Sequence, residues 1–339
     1  MVEVLSSVEI CAGAGGQALG LERSGFHHRA VVEIDSDAAN TLRLNRPEWN
    51  VIEGDVLDFD ISSFSDDLDL LAGGVPCPPF SIAGKQLGPD DERDLFPRAL
   101  ELTEAARPRA VMLENVRGLS QPRFAGYRSE LIVAFEKLGY TVFWETVVSA
   151  DFGLPQLRPR FVLVALLNPF AEYFAWPKPL GRAVTVGEVL EPLMAEKGWP
   201  GAQEWARKAN SIGPTLVGGS KKHGGPDLGP SRAREAWKKL GVKGSSIAED
   251  PPAPGFTTDP NVDMPRLTVR MGATLQGFPP DWRWSGGKTA AWKQVGNAFP
   301  PPVAEAVGKN IASALRMQPL ASSSTQAVAA APDLTLLEA

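Results

Sequence analysis

A thiol, a carboxyl group and two guanidinium groups stand where apolar runs of this sequence stop abruptly. Cys77 lies in Pro76-Cys-Pro-Pro-Phe-Ser, just after the apolar residues 70–72 and the pair Gly73-Gly74. Pro76 and Pro78 each fix φ near about −65° and carry no N–H, so neither a helix nor a strand ladder continues through them. The thiol is therefore expected in a stiff, extended loop at the carboxyl end of a strand, where open α/β sheets form their ligand crevice. Cysteine suits covalent attack near neutral pH because a small fraction is already thiolate. Glu114 ends a second apolar run and is followed by Asn115. A carboxyl group buried there is costly to ionise and is able to hold or share a proton. Arg158 and Arg160 alternate in Gln156-Leu-Arg-Pro-Arg. An extended backbone turns both toward one side, and the guanidinium fork binds phosphate, carboxylate or carbonyl oxygens. Taken singly, each has an ordinary explanation: a buried cysteine beside a proline turn, a strand-end carboxylate, two surface arginines.

A second constellation points to a cofactor. Residues 4–10 read as a strand, and Cys11-Ala-Gly-Ala-Gly-Gly-Gln-Ala as the turn into a helix over 19–24. Gly13, Gly15 and Ala18 satisfy G-x-G-x-x-G/A, a weak signal that gains weight from its place between strand and helix. Such glycines let the backbone approach a ligand at a helix N-terminus. Residues 29–35 read as a second strand ending in Glu33, about 20 residues past the glycines, the position for a carboxylate on ribose hydroxyls. Asp55 ends a third strand-like segment, 50–56. Together these indicate a nucleoside-bearing cofactor. NAD and S-adenosylmethionine both carry adenosine, and the glycines do not separate them.

These groups need a frame. Further strands are read at 70–72, 108–116, 140–149 and 161–167, with helices at 95–106 and 303–315 and a helix-like acidic stretch ending at Asp66, Asp67 and Asp69. Strands alternating with helical patterns define an α/β chain. Residues 81–94 are polar, with Gly84 and Gly88 as pivots, and read as a lid over the thiol or as an ordinary surface loop. From residue 177 the texture becomes short, basic and Gly/Pro-punctuated, the mark of a second, strand-poor domain. Residues 321–339 are low-complexity and expected to be disordered.

The chain has 339 residues, 43% of them hydrophobic, enough for a large domain and a smaller one. It has no long apolar span, its N-terminus does not read as a secretion signal, and Cys11 and Cys77 offer neither a metal cluster nor a disulfide framework. A cytoplasmic location follows as the expectation. The net charge of −6 argues against an acidic partner, but residues 205–245 hold nine Lys/Arg against Asp227 and Glu235, a local +7 that leaves −13 elsewhere. A basic patch on an acidic chain is either a solvated helix or the footprint of a phosphate-rich ligand.

In order along the chain stand Ala12-Gly-Ala-Gly-Gly, Glu33, Gly54-Asp55, Pro76-Cys-Pro-Pro-Phe-Ser, Glu114-Asn-Val, Gln156-x-Arg-x-Arg, Leu-Gln-Gly-Phe-Pro ending at Pro279, and Gln294-x-Gly-Asn. This series resembles the DNA (cytosine-5) methyltransferase family over residues 7–312. It departs at Cys11, where the family often has Phe, at Pro78 for the usual Gln, and at Met271 and Thr274 for Glu and Arg.

The resemblance implies a Rossmann-like methyltransferase sheet with helices on both faces, plus a smaller loop-rich target-recognition domain. The expected division is a catalytic domain over 1–176, a recognition domain over 177–265, a hinge over 266–292, a return to the catalytic domain over 293–318 and the tail. S-adenosylmethionine is the implied cofactor. Its implied lining is Cys11, Ala12, Gly13, Gly15 and Gly16 from the loop, Glu33 and Ile34 from the second strand, Asp55 and Val56, Pro76 and Leu95, and Asn297 and Ala298 from the return segment. Cys77, Glu114, Arg158 and Arg160 are the implied catalytic group. Ser81, Gln86 and Arg93 of the lid, with Lys221, Lys222, His223, Arg232 and Arg234, are the implied DNA contacts. The implied partners are double-stranded DNA and a cognate restriction endonuclease acting on the same site, with the chain itself a monomer. Three other readings are weaker. Transfer RNA as acceptor leaves the insertion 177–265 without a purpose; a nicotinamide-dependent dehydrogenase leaves Cys77, Glu114 and Arg160 idle; and a DNA-binding protein without activity does not account for that intact set.

Overall fold

The computed structural model describes residues 4–76, 94–218, 226–258 and 263–318. The chain divides into two compact units. Among the described residues, the first comprises 4–76, 94–147, 159–177 and 299–318, and the second 148–158, 178–218, 226–258 and 263–298.

The first unit carries a seven-stranded sheet. In chain order the strands are β1 (Leu5–Ile10), β2 (Phe26–Glu33), β3 (Val51–Glu53), β4 (Leu70–Gly73), β5 (Ala110–Val116), β6 (Tyr140–Val148) and β7 (Pro159–Leu167). In space they run β3-β2-β1-β4-β5-β7-β6. Strands β3, β2, β1, β4 and β5 are parallel, and β7 is antiparallel to β5. Both faces of the central strands are covered: every residue of β4, and all of β5 but its last, is buried. The order reverses between β1 and β4, and such a switch point opens a crevice outside the carboxyl ends. Four helices follow the early strands: α1 (Gly16–Arg23), α2 (Ser36–Asn45), α3 (Phe96–Ala106) and α4 (Ala125–Lys137). The expected acidic helix before β4 is only a short 3-10 turn over Ser62–Phe64, because the aspartates there hold turns instead.

The second unit is strand-poor and rich in loops among its described residues, with short helices set between them. It contains α5 (Val186–Ala195), α6 (Ala202–Lys208), α7 (Ser231–Lys239), α8 (Val269–Leu275) and α9 (Lys288–Asn297). Four buried tryptophans, Trp199, Trp205, Trp237 and Trp292, pack with Leu190, Met194, Leu216 and Met271 into its core. Helices α8 and α9 carry core side chains of this unit, and the first unit resumes at Phe299. Met271 is fully buried in that core, and Arg270 pairs instead with Glu196 at 2.6 Å.

The last helix, α10 (Pro301–Leu315), opens on prolines, whose fixed φ and missing N–H suit a first turn. It packs on α1, where a Cβ on Gly20 would meet Ala304 Cβ and Pro301 O, each at 2.5 Å, so only glycine allows the approach. No helix among the described residues is long and apolar enough to cross a membrane.

His28 ties β1, β2 and α1 together beneath the glycine loop. Its Nε2 donates to the Ala18 carbonyl at 2.9 Å, which fixes the tautomer, and its Nδ1 accepts from Ser7 Oγ at 2.9 Å. Burial lowers its pKa to about 4. The folded state thus binds fewer protons than the unfolded chain between that value and the ordinary pKa of about 6.5. The stability His28 confers is complete above the upper value and is lost as pH falls through the lower one. Replacing His28 by Asn should remove about 3 kcal/mol of pH-dependent stability from that window, measured as the difference in denaturant-unfolding free energy between pH 7 and pH 4.5. Parallel pH profiles for the two proteins would contradict this account.

Candidate active site

Five carboxyl-terminal strand ends face the same way because their strands are parallel, and each delivers one element of the site. After β1 the chain turns sharply. Cys11, Gly13 and Gly15 all have positive φ, of 51°, 56° and 85°, which a thiol residue adopts only under constraint. The constraint is Glu33 at the end of β2, whose Oε2 accepts the Gly13 N–H at 2.6 Å and whose Oε1 accepts the Asp35 N–H at 2.7 Å. Burial raises the pKa of Glu33, opposed by those two amide bonds. Behind the loop Glu9 is completely buried on β1. That burial lifts its pKa well above the usual carboxylate range, opposed by the Ala18 amide and reinforced by Glu33. The Cys11 thiol is pushed up to about 12 by burial and by the carboxylates of Glu33, Asp55 and Glu9, which makes it inert as a nucleophile.

The rim above the loop is open. A Cβ on Gly13 would meet no atom within 4 Å. Ile34 is 64% exposed beside Glu33. Past β3 the side chain of Val56 turns into the core, while Leu57 is 53% exposed and anchored through its N–H to Asp55 Oδ1 at 2.9 Å. A strand-end carboxyl group, two exposed apolar side chains and an open glycine turn fit an adenosine-bearing group.

Residues 77–93 lie outside the described residues, and with them Cys77, Ser81, Gln86 and Arg93. The chain on either side is firmly held. Asn115 Nδ2 donates to the Val75 carbonyl at 2.8 Å, and the Leu95 N–H donates to the Pro76 carbonyl at 3.2 Å. Asp94 accepts from Tyr127 Oη at 2.5 Å and from the Phe96 N–H at 3.1 Å. Asn115, Asp94 and Tyr127 carry these roles only through contacts 33 to 40 residues distant, which no local motif reveals.

Arg160 reaches the same rim because β7 runs backwards. Antiparallel pairing sets Arg160 opposite Val116, so the amino end of β7 meets the carboxyl end of β5. Glu114, two residues before Val116, shares its face and lies diagonally across from Arg160. Arg160 Nε contacts Glu114 Oε1 at 2.6 Å, and both side chains are only 11% exposed. Burial lowers the Arg160 pKa, and the Glu114 carboxylate opposes the shift. Gly74 leaves room on the other side: a Cβ there would stand 3.5 Å from Glu114 Oε2 and from the Cys11 carbonyl.

Arg158 is a correction. It does not share a face with Arg160 but is completely buried in the second unit, at φ 21°. Its Nη1 donates to the Leu216 carbonyl at 2.7 Å, and its Nη2 to the Gly296 and Ala298 carbonyls at 2.8 and 2.7 Å. A guanidinium spent on buried carbonyls cannot touch phosphate or base. Gln156, also fully buried, joins this hub by donating to the Leu275 carbonyl and Gln276 Oε1. Asn297 is exposed at the end of α9 and Ala298 is buried beside it, both in the second unit. Lys221, Lys222 and His223 lie outside the described residues, while Arg232 is exposed on α7 and Arg234 half-buried there.

A switch-point crevice with a glycine turn, a strand-end carboxyl group and a buried acid–guanidinium pair stands on a Rossmann-like sheet. In fold the chain is similar to the Entamoeba histolytica methyltransferase EhMeth, with a TM-score of 0.66 at 16% identity, covering 92% of this chain and 99% of that one. It is similar likewise to a DNMT2 of Spodoptera frugiperda, with a TM-score of 0.62 at 15% identity, covering 91% and 99%. The model of the C-5 cytosine-specific DNA methylase family matches residues 5–313, and the chain belongs to that family. It is 58% identical over 320 residues to the Type II methyltransferase M.NaeI of Lentzea aerocolonigenes, covering 94% of this chain and 77% of that protein. It is 53% identical to the Type II methyltransferase M.NgoMIV of Neisseria gonorrhoeae, covering 92% and 99%. The protein is a DNA (cytosine-5) methyltransferase.

Asn115 holds the backbone two residues before Cys77, so Asn115→Ala should lower kcat by about 10- to 100-fold through misplacement of the reacting group, with KM for DNA nearly unchanged. Steady-state methylation kinetics with a thermal-unfolding control measure this. An unchanged kcat, or a loss confined to KM, would show that the bond is not used.

Proposed function

We propose that the enzyme uses S-adenosylmethionine to methylate carbon 5 of a cytosine flipped out of a specific short duplex sequence, through a covalent bond from Cys77 to carbon 6. The observation that carries this reading is the buried Glu114–Arg160 pair on the rim that Val75 and Pro76 enter. The bound cofactor would supply an electrophilic methyl group. Glu33 would take the ribose hydroxyls, Ile34 and Leu57 the faces of the adenine, and the loop from Cys11 to Gly16 the remainder.

Carbon 5 of cytosine is a poor nucleophile while the ring is aromatic. Addition of the Cys77 thiolate to carbon 6 forms an S–C bond and leaves carbon 5 enamine-like. Glu114, hydrogen-bonding or protonating N3, draws electrons away from carbon 6 and lowers the barrier to that addition. Arg160 remains cationic in its buried setting and faces the charge that develops at O2. Carbon 5, made nucleophilic in this way, would accept the methyl group that bound S-adenosylmethionine would supply, the sulfur leaving as a neutral thioether. Loss of the carbon 5 proton and cleavage of the S–C6 bond restore aromaticity and return the thiolate. Flipping the base costs a few kcal/mol of unstacking and unpairing. Residues 81–93 and the second unit would hold the opened duplex, with base edges read by the region around residues 210–232.

The Type II names of its relatives support a restriction-modification setting, with an endonuclease acting on the same sequence; a cytoplasmic monomer is the form proposed for the enzyme. Exchanging Cys77 for Ala should abolish transfer of labelled methyl to cognate duplex DNA while leaving DNA binding in place. Label arriving at wild-type rates in the variant, or arriving on transfer RNA rather than on DNA, would overturn the proposal.

A further inference from the structure

The reaction leaves the basic cluster of the second unit without a detailed role, and its geometry is specific. Helix α7 is anchored by Trp237, which is fully buried. Ser231, Arg234 and Lys238 follow at i, i+3 and i+7, one stripe along the helix. The chain then turns back on this stripe. A Cβ on Gly244 would stand 3.0 Å from Arg234 Cγ and 3.2 Å from its Cα, so the turn lies directly against the helix. Between them is a cleft of about 380 Å³, lined by Ser231, Arg234, Lys238, Lys243 and Ser245, with Asp263 on its far side.

The charges in this cleft are not equivalent. Asp263 is absorbed by Lys243 Nζ at 3.0 Å and Arg266 Nη2 at 3.4 Å, with the Lys243 bond chiefly responsible for holding its carboxyl below the usual range. Arg234 donates to Ser231 Oγ at 3.3 Å and has Asp227, 4% exposed, 3.9 Å behind it. These contacts fix Arg234 and Lys243 in place before any ligand arrives. Lys238 is exposed and makes no ion pair among the described residues. Glu235 is the exposed acid of the lining and stands three residues before Lys238 on the helix, with no ion pair formed between the two. A fork already engaged by a hydroxyl is poorly placed to read a base edge. Compact ammonium charges flanked by hydroxyls suit an oxyanion.

We propose that this cleft seats one backbone phosphate of the DNA duplex, with Lys238 as the contacting cation and Ser231 and Arg234 completing the cradle. The inference rests on DNA being the substrate. A phosphate gripped here fixes the register of the second unit on the duplex and carries no sequence information.

The test is equilibrium binding of the full-length enzyme to a duplex containing its methylation site and to an unrelated duplex, over a series of salt concentrations. Lys238→Ala should weaken both complexes several-fold to the same degree. It should also reduce the slope of log K against log salt by about 0.9, the value for one lost phosphate contact. Lys238→Arg should restore both. Lys239→Ala removes the same charge from the adjacent residue of α7, outside the cleft lining, and should leave the slope near that of the wild type. Equal slope changes in the Lys238 and Lys239 variants would reduce the cleft to general surface charge, and an unchanged Lys238→Ala slope would remove it outright. A loss confined to the cognate duplex would make the cleft a base reader and likewise overturn the proposal. Wild-type methylation of the cognate duplex, followed in the same samples, separates a failure of the cleft from a failure of the substrate assignment.

Discussion

The contact on which the rest of the site depends is the buried ion pair between Glu114 and Arg160. Two charges so poorly exposed to water are expensive, and their mutual attraction repays the desolvation only when geometry is good. The sheet supplies that geometry. A parallel β7 would have carried Arg160 to the opposite edge; the antiparallel turn brings it beside the end of β5. Each partner needs the other for a reason beyond stability. Without Arg160 the carboxyl group would lose its opposing charge, and without Glu114 the guanidinium would stand alone in a desolvated pocket.

Around this pair the first unit is built to hold backbone still. Glu33 spends both oxygens on amides of the turns that follow β1 and β2, and Asn115 and Leu95 grip the carbonyls of Val75 and Pro76. The second unit does the same with different chemistry. Arg158 gathers three carbonyls into one buried fork, and Gln156 extends the grip to α8. Two arginines separated by a single proline thus have different surroundings: Arg160 pairs with Glu114 at the rim, and Arg158 is a structural bolt.

Much of the first unit was legible in the sequence. Apolar runs such as residues 70–72 and 110–113, stopped by Gly73-Gly74 and by Glu114, mark strands buried on both faces, and a glycine turn between strand and helix marks the carboxyl end of β1. The second unit was not legible in this way. Its helices are 7 to 10 residues long and broken by glycine and proline, so composition reads as loop while four tryptophans supply the core. Arg158 misled because an arginine in an extended segment is ordinarily a surface group. Its burial depends on carbonyls from residues 216, 296 and 298, far along the chain.

The central claim is that a carboxyl–guanidinium pair prepares the pyrimidine for a thiol. DNA carrying 5-fluorocytosine at the target position tests it most directly, because fluorine cannot leave as a cation and the adduct therefore accumulates. Mass spectrometry should find one covalent complex, on Cys77, formed at least about 100-fold more slowly when Glu114 is changed to Gln or Arg160 to Ala. An adduct that forms at the wild-type rate in both variants, or on any other residue, would contradict the account.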